Sequence, residues 1–125
     1  MNIMRVPVID DDEIFARLLV EILDQISTDA VCRTDGLDAF ELLNRENFDL
    51  CIIDERMPSI LGSELAEAIT KTYPRTKIIL ASAFPDRALA EYACRKGILL
   101  LAKPFTKLQL FDSVKTAAVD SVGCN

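Results

Sequence analysis

The sequence has 125 residues, about half of them apolar and a quarter charged, so it is long enough for one domain with a hydrophobic core. Its formal net charge of -6 argues against surfaces that bind nucleic acid or anionic membranes, because both need a basic face. Histidine is absent, which excludes Ser-His-Asp and Cys-His nucleophiles, histidine zinc sites and a phosphohistidine carrier. No apolar run approaches the ~18 residues of a membrane span and the N-terminus lacks a signal-peptide pattern, so we expect a cytoplasmic protein.

Short apolar runs alternate with longer amphipathic segments five times along the chain. The runs predict buried strands, and apolar residues spaced by three and four predict helices. This order predicts a single α/β domain over residues 1–125, with no effector domain, built on a parallel sheet with helices on both faces. The predicted strands cover 4–9, 30–34, 50–53, 77–82 and 98–102.

Residues that start and stop helices stand between these strands. Asp11 or Asp12 can cap the first helix, Pro74 ends the third, Gly97 closes the fourth and Thr106 caps the last. The apolar faces comprise Ile14, Phe15, Leu18, Leu19, Ile22, Leu23 and Ile26 in the first helix, Leu37, Phe40 and Leu43 in the second, Leu65, Ala68, Ile69 and Tyr73 in the third, Leu89, Tyr92 and Ala93 in the fourth, and Leu108, Phe111, Val114 and Ala118 in the fifth.

The four cysteines are far apart in the sequence and form no CxxC pair. They are Cys32, Cys51, Cys94 and Cys124. Because such isolated cysteines usually behave as small core residues, we expect reduced thiols rather than a metal or redox site.

Acidic residues stand where predicted strands end. Asp10 and Asp11 follow the first strand and Asp54 follows the third, so all three are expected at one edge of the sheet. Such acids often only cap helices or form turns. Three carboxylates in one place repel one another unless a cation joins them, and Mg²⁺ suits oxygen ligands. We therefore expect Asp11 and Asp54 to bind Mg²⁺ directly, Asp10 to act through water, and the backbone carbonyl of Arg56 to complete the shell.

The other strand ends carry groups that bind anions. Ser82 follows the fourth strand and Lys103 the fifth, although each alone is more often a turn residue or a solvated charge. A carboxylate nucleophile can form an acyl phosphate, and that reaction needs charge neutralisation on the transferred oxygens. The combination predicts phosphoryl transfer to Asp54, with Ser82 and Lys103 contacting the phosphoryl group.

These motifs resemble the receiver domain of two-component response regulators over essentially the whole chain. The segments that carry the resemblance are 8–12 (Val-Ile-Asp-Asp-Asp) with Arg17, 49–58 (Asp-Leu-Cys-Ile-Ile-Asp-Glu-Arg-Met-Pro), Gly62, 80–83 (Leu-Ala-Ser-Ala) and 103–105 (Lys-Pro-Phe). The resemblance implies a flavodoxin-like strand order 2-1-3-4-5 and a phosphoacceptor signalling domain rather than an enzyme. It further implies that a sensor histidine kinase or histidine phosphotransfer protein phosphorylates Asp54 with Mg²⁺, and that a downstream protein binds the face of helix 4, strand 5 and helix 5.

Two features depart from the receiver pattern. Leu100 stands where receivers usually have an aromatic switch residue, and the segment from Gly97 to Lys103 is one residue shorter than expected. Either this aliphatic segment docks a partner, or the usual coupling is lost, or it is simply a buried strand with one apolar edge residue. A receiver that binds its partner regardless of phosphorylation is therefore an alternative function.

A third hypothesis is an aspartate-based phosphatase of the haloacid dehalogenase type. The pattern would make Asp10 the nucleophile and Asp12 the acid. The chain is short for that fold, and Ile14 stands where a threonine is usual. A flavin site is disfavoured because the acids would repel a flavin phosphate.

Overall fold

The computed structural model describes residues 3–119 as one five-stranded sheet flanked by helices. The strands are β1 (Met4–Ile9), β2 (Thr28–Arg33), β3 (Leu50–Asp54), β4 (Lys77–Ser82) and β5 (Leu99–Ala102), and the helices are α1 (Glu13–Leu23), α2 (Gly36–Arg45), α3 (Gly62–Thr72), α4 (Arg87–Lys96) and α5 (Lys107–Ala118). Every strand pair in the sheet is parallel, and the order is β2-β1-β3-β4-β5. The predicted fold class and strand order are confirmed.

The predicted strand boundaries agree with the structure at β1 and β4, whereas β3 extends one residue beyond the predicted end, to Asp54, and β2 and β5 also differ. β2 begins at Thr28, two residues before the predicted start, because its polar first residues extend the ladder along β1, where Met4 pairs with Thr28. β5 begins at Leu99, because the backbone N–H of Ile98 donates to the carbonyl of Ala93 and closes the end of α4. The apolar runs thus predict where the strands lie but not the residues at which they begin and end.

Pro7 lies within β1 although proline removes a ladder donor. On the side of β1 that faces β3, the backbone N–H of Asp49 donates to the carbonyl of Arg5 at 3.2 Å. The Asp49 carboxylate accepts the Arg5 N–H at 3.0 Å, and regular pairing resumes at Val8 and Ile52. Successive residues of a strand direct their backbone N–H and C=O groups to opposite neighbouring strands, so the backbone of Pro7 faces β3, as that of Arg5 does. The N–H that Pro7 lacks would fall in the gap between these contacts.

β3 is buried along its whole length and separates two hydrophobic clusters. Cys51 and Ile53 belong to the cluster under α2, α3 and α4, whereas Leu50 and Ile52 belong to the cluster under α1 and α5. This alternation is what a central parallel strand requires, because both of its faces are covered. The buried strand brings Asp54 to the carboxyl edge of the sheet.

The apolar faces of three helices are rotated from those that the sequence indicates. Ile14, Leu37 and Leu108, each the second residue of its helix, are 83, 74 and 71% exposed. Residues two positions later lie about 200° farther around a helix, and there Ala16 and Ala39 are fully buried against the sheet. Small residues allow this close packing, but alanine is a weaker sign of a buried helix face in the sequence than leucine is. In α5 the expectation that Leu108 and Ala118 are buried is wrong, whereas Val114 is buried as expected, together with Leu110 and Ala117.

The prediction of reduced cysteines holds for part of the chain only. Cys32 and Cys51 are free, and burial raises the pKa of the Cys51 thiol to about 12, so it packs as an apolar residue. Cys94 is disulfide-bonded, which contradicts the expectation of a reduced thiol there. Cys124 lies outside the described residues.

Gly62 brings the start of α3 against the end of β3. Its backbone N–H donates to the carbonyl of Glu55 at 2.8 Å. A Cβ atom at this position would lie 2.3 Å from the carbonyl oxygen of Asp54 and 2.9 Å from the Cα of Glu55. These are backbone atoms in a buried strand end, so they have little freedom to move away.

We expect Gly62→Ala to lower the free energy of unfolding by about 3 kcal/mol, because the added methyl group forces the two backbones apart. Urea unfolding followed by circular dichroism measures the change. Gly97→Ala is the matched control: Gly97 has φ 69° with open space around it, so only its left-handed backbone is strained, at a cost of about 1 kcal/mol. Equal losses for the two variants would contradict the close approach at Gly62.

Candidate functional site

The carboxyl edge of the sheet brings Asp10, Asp54 and Lys103 into direct contact. The Lys103 ammonium (Nζ) donates to Oδ1 of Asp54 at 2.8 Å and to Oδ2 of Asp10 at 3.0 Å. The two acids are nearly buried, with 3% of Asp10 and 8% of Asp54 exposed. The lysine comes from the turn after β5, where the peptide bond between Lys103 and Pro104 is cis. The strand ends thus converge as their positions in the sequence predict.

Asp10, Asp11 and Asp54 form a cluster of oxygen donors. One carboxylate oxygen from each lies within 4.8 Å of the others. Three carboxylates against the single Lys103 ammonium leave a local charge of about -2, so a divalent cation would neutralise the cluster. The distances and the all-oxygen donor set fit Mg²⁺, which binds through one or two carboxylates and retains waters.

The pKa of Asp54 is raised above its ordinary value, mainly because burial disfavours the charged carboxylate. The hydrogen bond from Lys103 lowers this pKa, whereas the charges of Asp10 and Asp11 raise it. Burial is the largest single influence on the pKa of Lys103 and lowers it, but the hydrogen bonds to Asp54 and Asp10 and the charges of these acids together outweigh it and raise the pKa. The lysine therefore stays protonated, and the edge as a whole attracts cations.

Ser82 lies at the same edge, at the end of β4. Its side chain is buried, and its hydroxyl oxygen accepts the backbone N–H of Phe84 at 3.0 Å. Its carbonyl accepts the backbone N–H of Lys103 at 2.8 Å, so the serine and the lysine are held in register. Beside them is a depression lined by Asp54, Arg56, Ala83, Phe84 and Lys103.

The predicted role of Arg56 concerns its backbone. The residue is exposed and pairs with Leu61 in an isolated antiparallel bridge, which fixes the loop after β3. Arg56 lies two residues after Asp54 in the sequence and lines the same depression. That its carbonyl completes a metal shell stays a prediction.

Two aromatic residues next to Lys103 were not identified as part of the site by sequence reasoning. The Lys103 ammonium lies 4.7 Å from the centroid of the Phe15 ring, and the Phe15 and Phe105 rings meet edge to face at 5.9 Å. Phe105 follows the lysine by two residues, which is a local signal. Phe15 gives no comparable signal, because its place in an apolar helical stripe indicates only core packing.

A second contact network begins at Glu55, the residue after Asp54. The Glu55 carboxylate accepts the backbone N–H of Ser63 at 2.6 Å and its hydroxyl at 3.0 Å. The single hydrogen of the Tyr92 hydroxyl is shared between the carbonyl of Ser63, at 3.1 Å, and the Glu67 carboxylate, at 3.0 Å. Burial and the acid beside it raise the pKa of Tyr92 to about 12, so the phenol stays protonated. The network joins the end of β3 to α3 and α4.

Leu100, the departure noted above, is partly buried and packs against the cluster under α2, α3 and α4. Leu99 packs against the opposite cluster, together with the buried Leu101. The aliphatic side chains of β5 are therefore shared between the two faces of the sheet. This arrangement agrees with a partly buried edge strand.

A doubly wound α/β domain with an acidic cluster and a lysine at its carboxyl edge is therefore present, and comparison with known proteins gives the family. The family model described as response regulator receiver domain matches residues 6–115. The chain belongs to this family, as the sequence motifs predict. Receiver domains are signalling domains of two-component systems rather than enzymes in the usual sense.

The individual proteins to which this chain is similar are only distantly related to it in sequence. Response regulator protein PilR of Pseudomonas aeruginosa is 30% identical over 118 residues, which is 94% of this chain and 26% of PilR. Response regulator receiver protein CpdR of Brucella abortus is 30% identical over 112 residues, 89% of this chain and 93% of CpdR. The chain thus spans only about a quarter to a third of the first curated relatives that it matches.

Solved structures include response regulator protein TrrA of Thermotoga maritima in complex with Mg(2+)-BeF. It is 29% identical, has a TM-score of 0.82, and the match covers 94% of this chain and 99% of that one.

Among residues 3–119, no helix is long and apolar enough to cross a membrane.

We expect Asp54→Asn to raise the free energy of unfolding of the metal-free protein at pH 7 by about 1 kcal/mol. Because the folded-state pKa of Asp54 is raised, its contribution to stability is fully present below pH 3.8, the ordinary value, and is lost as pH rises through the folded-state pKa. Asparagine does not incur this loss, and Lys103 keeps Asp10 as its partner.

Guanidinium unfolding with a chelator, from pH 3.5 to 7, measures the difference. The gain should shrink towards the acid end, where Asp54 is protonated in both states. Asp112→Asn, at an exposed position on α5, is the control and should change stability by less than about 0.5 kcal/mol. A pH-independent loss of stability in Asp54→Asn would contradict the expected effect.

Proposed function

We propose that this chain is a phosphorelay receiver that accepts a phosphoryl group on Asp54 from a sensor histidine kinase or a histidine phosphotransfer protein. The observation that carries the proposal is the contact of the nearly buried Asp54 carboxylate with the Lys103 ammonium, beside two further acids at an open sheet edge. Membership of the receiver family and the Mg(2+)-BeF complex of TrrA support the same chemistry.

In the proposed reaction an Asp54 carboxylate oxygen forms a bond to phosphorus as the phosphorus–nitrogen bond of the donor phosphohistidine breaks. The electron pair of that bond returns to the imidazole nitrogen, and Asp54 becomes an acyl phosphate. Lys103, at 2.8 Å from Asp54, neutralises part of the charge on the phosphoryl oxygens. The Ser82 hydroxyl accepts from Phe84 and keeps its own hydrogen to donate to a phosphoryl oxygen.

Asp11 and Asp54 would bind Mg²⁺ directly, Asp10 would act through water, and the Arg56 carbonyl would complete the shell. When bound, the cation neutralises negative charge on the cluster and on the transferred oxygens. Asp10 is suited to an indirect role because its carboxylate already accepts the Lys103 ammonium and the backbone N–H of Asp12.

We propose that phosphorylation biases the face formed by α4, β5 and α5, where a downstream protein binds. Ser82 and Lys103 connect the phosphorylation site to this face, because the backbone hydrogen bond between them joins β4 to the turn before α5. A phosphoryl group that draws the Ser82 hydroxyl inward changes the loop that leads into α4.

A receiver whose binding does not depend on phosphorylation is the second candidate, favoured by one observation. Leu100 is aliphatic and partly buried, so it offers no aromatic side chain that could alternate between buried and exposed positions. A partner affinity that is equal with and without beryllofluoride would support this candidate. A tenfold difference, about 1.4 kcal/mol, would contradict it.

The structure gives the phosphatase hypothesis little support. The Asp12 carboxylate accepts the backbone N–H of Phe15 at 3.1 Å and caps α1, so it is already engaged away from a general-acid role. Turnover of a generic phosphatase substrate that is lost in Asp10→Asn but kept in Asp54→Asn would restore the hypothesis.

We expect acetyl phosphate with Mg²⁺ to add one phosphoryl group to the wild-type protein, and Asp54→Asn to abolish this labelling because the nucleophile is gone. Chelation of Mg²⁺ should also abolish it. Lys103→Ala should slow labelling at least about tenfold, since a charge-assisted contact to the phosphoryl group is lost. Intact-protein mass spectrometry over time measures each rate.

Asp35→Asn is the matched control for this experiment. Asp35 also follows a strand, β2, but its carboxylate caps α2 by accepting the backbone N–H of Leu37 at 2.7 Å. Asparagine caps helices as well as aspartate does, so labelling should stay at the wild-type rate. Labelling that survives Asp54→Asn would refute the proposed phosphoacceptor.

A further inference from the structure

The Lys103 ammonium has three groups around it. Two are the carboxylates of Asp10 and Asp54, at 3.0 and 2.8 Å. The third is the ring of Phe15, whose centroid lies 4.7 Å from Nζ. A cation at this distance from an aromatic face is attracted by the negative charge of the ring face. With its side chain only 22% exposed, the lysine is held mainly by protein groups.

Phe15 is itself held in place by its own helix and by the turn that carries Lys103. Its backbone N–H donates to the Asp12 carboxylate in the first turn of α1, at 3.1 Å. Its ring packs edge to face against Phe105, which follows Lys103 in the turn before α5. Both rings also pack against the cluster under α1 and α5. The ring therefore has a defined position relative to Asp54.

A lysine side chain needs such a support more than most residues at a site. It is a point charge on a flexible four-carbon stem, and ordering that stem costs conformational entropy. When a phosphoryl group forms on Asp54, the ammonium must leave its bond to the free carboxylate and contact a phosphoryl oxygen. An aromatic face tolerates this small shift, because attraction to a ring depends less on direction than a hydrogen bond does.

We propose that Phe15 is a positioning residue for phosphoryl transfer: its ring face holds the Lys103 ammonium at the sheet edge, where it meets the phosphoryl group on Asp54. The proposal rests on the phosphoacceptor function proposed above. It predicts that the aromatic character of Phe15, and not only its volume, sets the rate of phosphorylation.

Phe15→Leu tests the role, because leucine keeps an apolar side chain in the cluster and removes the ring face. We expect labelling by acetyl phosphate to be threefold to tenfold slower than in the wild type. Phe15→Tyr and Phe15→Trp should restore the rate to within about twofold. Mg²⁺ affinity, measured by calorimetry without acetyl phosphate, should change by less than twofold in all three variants, since Lys103 and not the acids is affected.

Two further comparisons separate positioning from packing. Phe40→Leu is the matched control, because Phe40 is a partly buried helical phenylalanine that contacts Tyr73 on the other side of the sheet. It should leave the labelling rate unchanged. In a Lys103→Ala background, Phe15→Leu should have no additional effect, because Phe15 acts through the lysine.

The physical contact has its own readout in the NMR signals of the Lys103 side chain. The methylene protons next to Nζ should show a ring-current shift that Phe15→Leu removes and Phe15→Tyr keeps. Wild-type labelling in Phe15→Leu, or equal loss in the leucine, tyrosine and tryptophan variants, would overturn the role of Phe15 alone. A wild-type protein that takes no label would overturn the proposed function and, with it, this role.

Discussion

The two ion pairs of Lys103 are the interaction on which the arrangement of the site depends. The lysine joins Asp10 at the end of β1 to Asp54 at the end of β3, and its own turn follows β5. Without it, two nearly buried carboxylates would face each other beside a third, Asp11, with no positive charge among them. Removal of the lysine would be strongly destabilising, because the nearly buried acids would be left without a compensating charge. Strands that are far apart in the sequence are thus tied together at the edge where the chemistry is proposed.

Much of the fold could be predicted because the sheet is parallel and covered on both faces. Runs such as 50–53 and 78–81 are apolar without alternation, and residues such as Gly97 and Thr106 mark helix ends by local chemistry that the structure reproduces. The rotation of α1, α2 and α5 could not be predicted, because it depends on small residues such as Ala16 that fit close to the sheet. A pattern of large apolar residues cannot show where close packing occurs.

The site could be predicted where its residues share a topological position, and not where they meet by packing alone. Asp10 and Lys103 follow strands and Asp54 ends one, and the carboxyl ends of parallel strands meet at one edge. Phe15 meets Lys103 through the packing of the first turn of α1 against the turn after β5. Glu55 and Tyr92 are linked through Ser63, and neither spacing nor residue type in the sequence indicates that contact.

The network around Tyr92 has a mechanical consequence. Its hydroxyl holds two groups on α3, and Lys96 on α4 forms a further ion pair with Glu67. Sliding α4 along α3 would break these contacts, and a single hydrogen bond contributes roughly 0.5–1.5 kcal/mol. The two helices are therefore linked to each other through side chains, and the link reaches through Ser63 to Glu55, the residue that follows Asp54. The position of Glu55 at the end of β3 is thereby tied to that of Ser63, the residue through which α4 contacts α3.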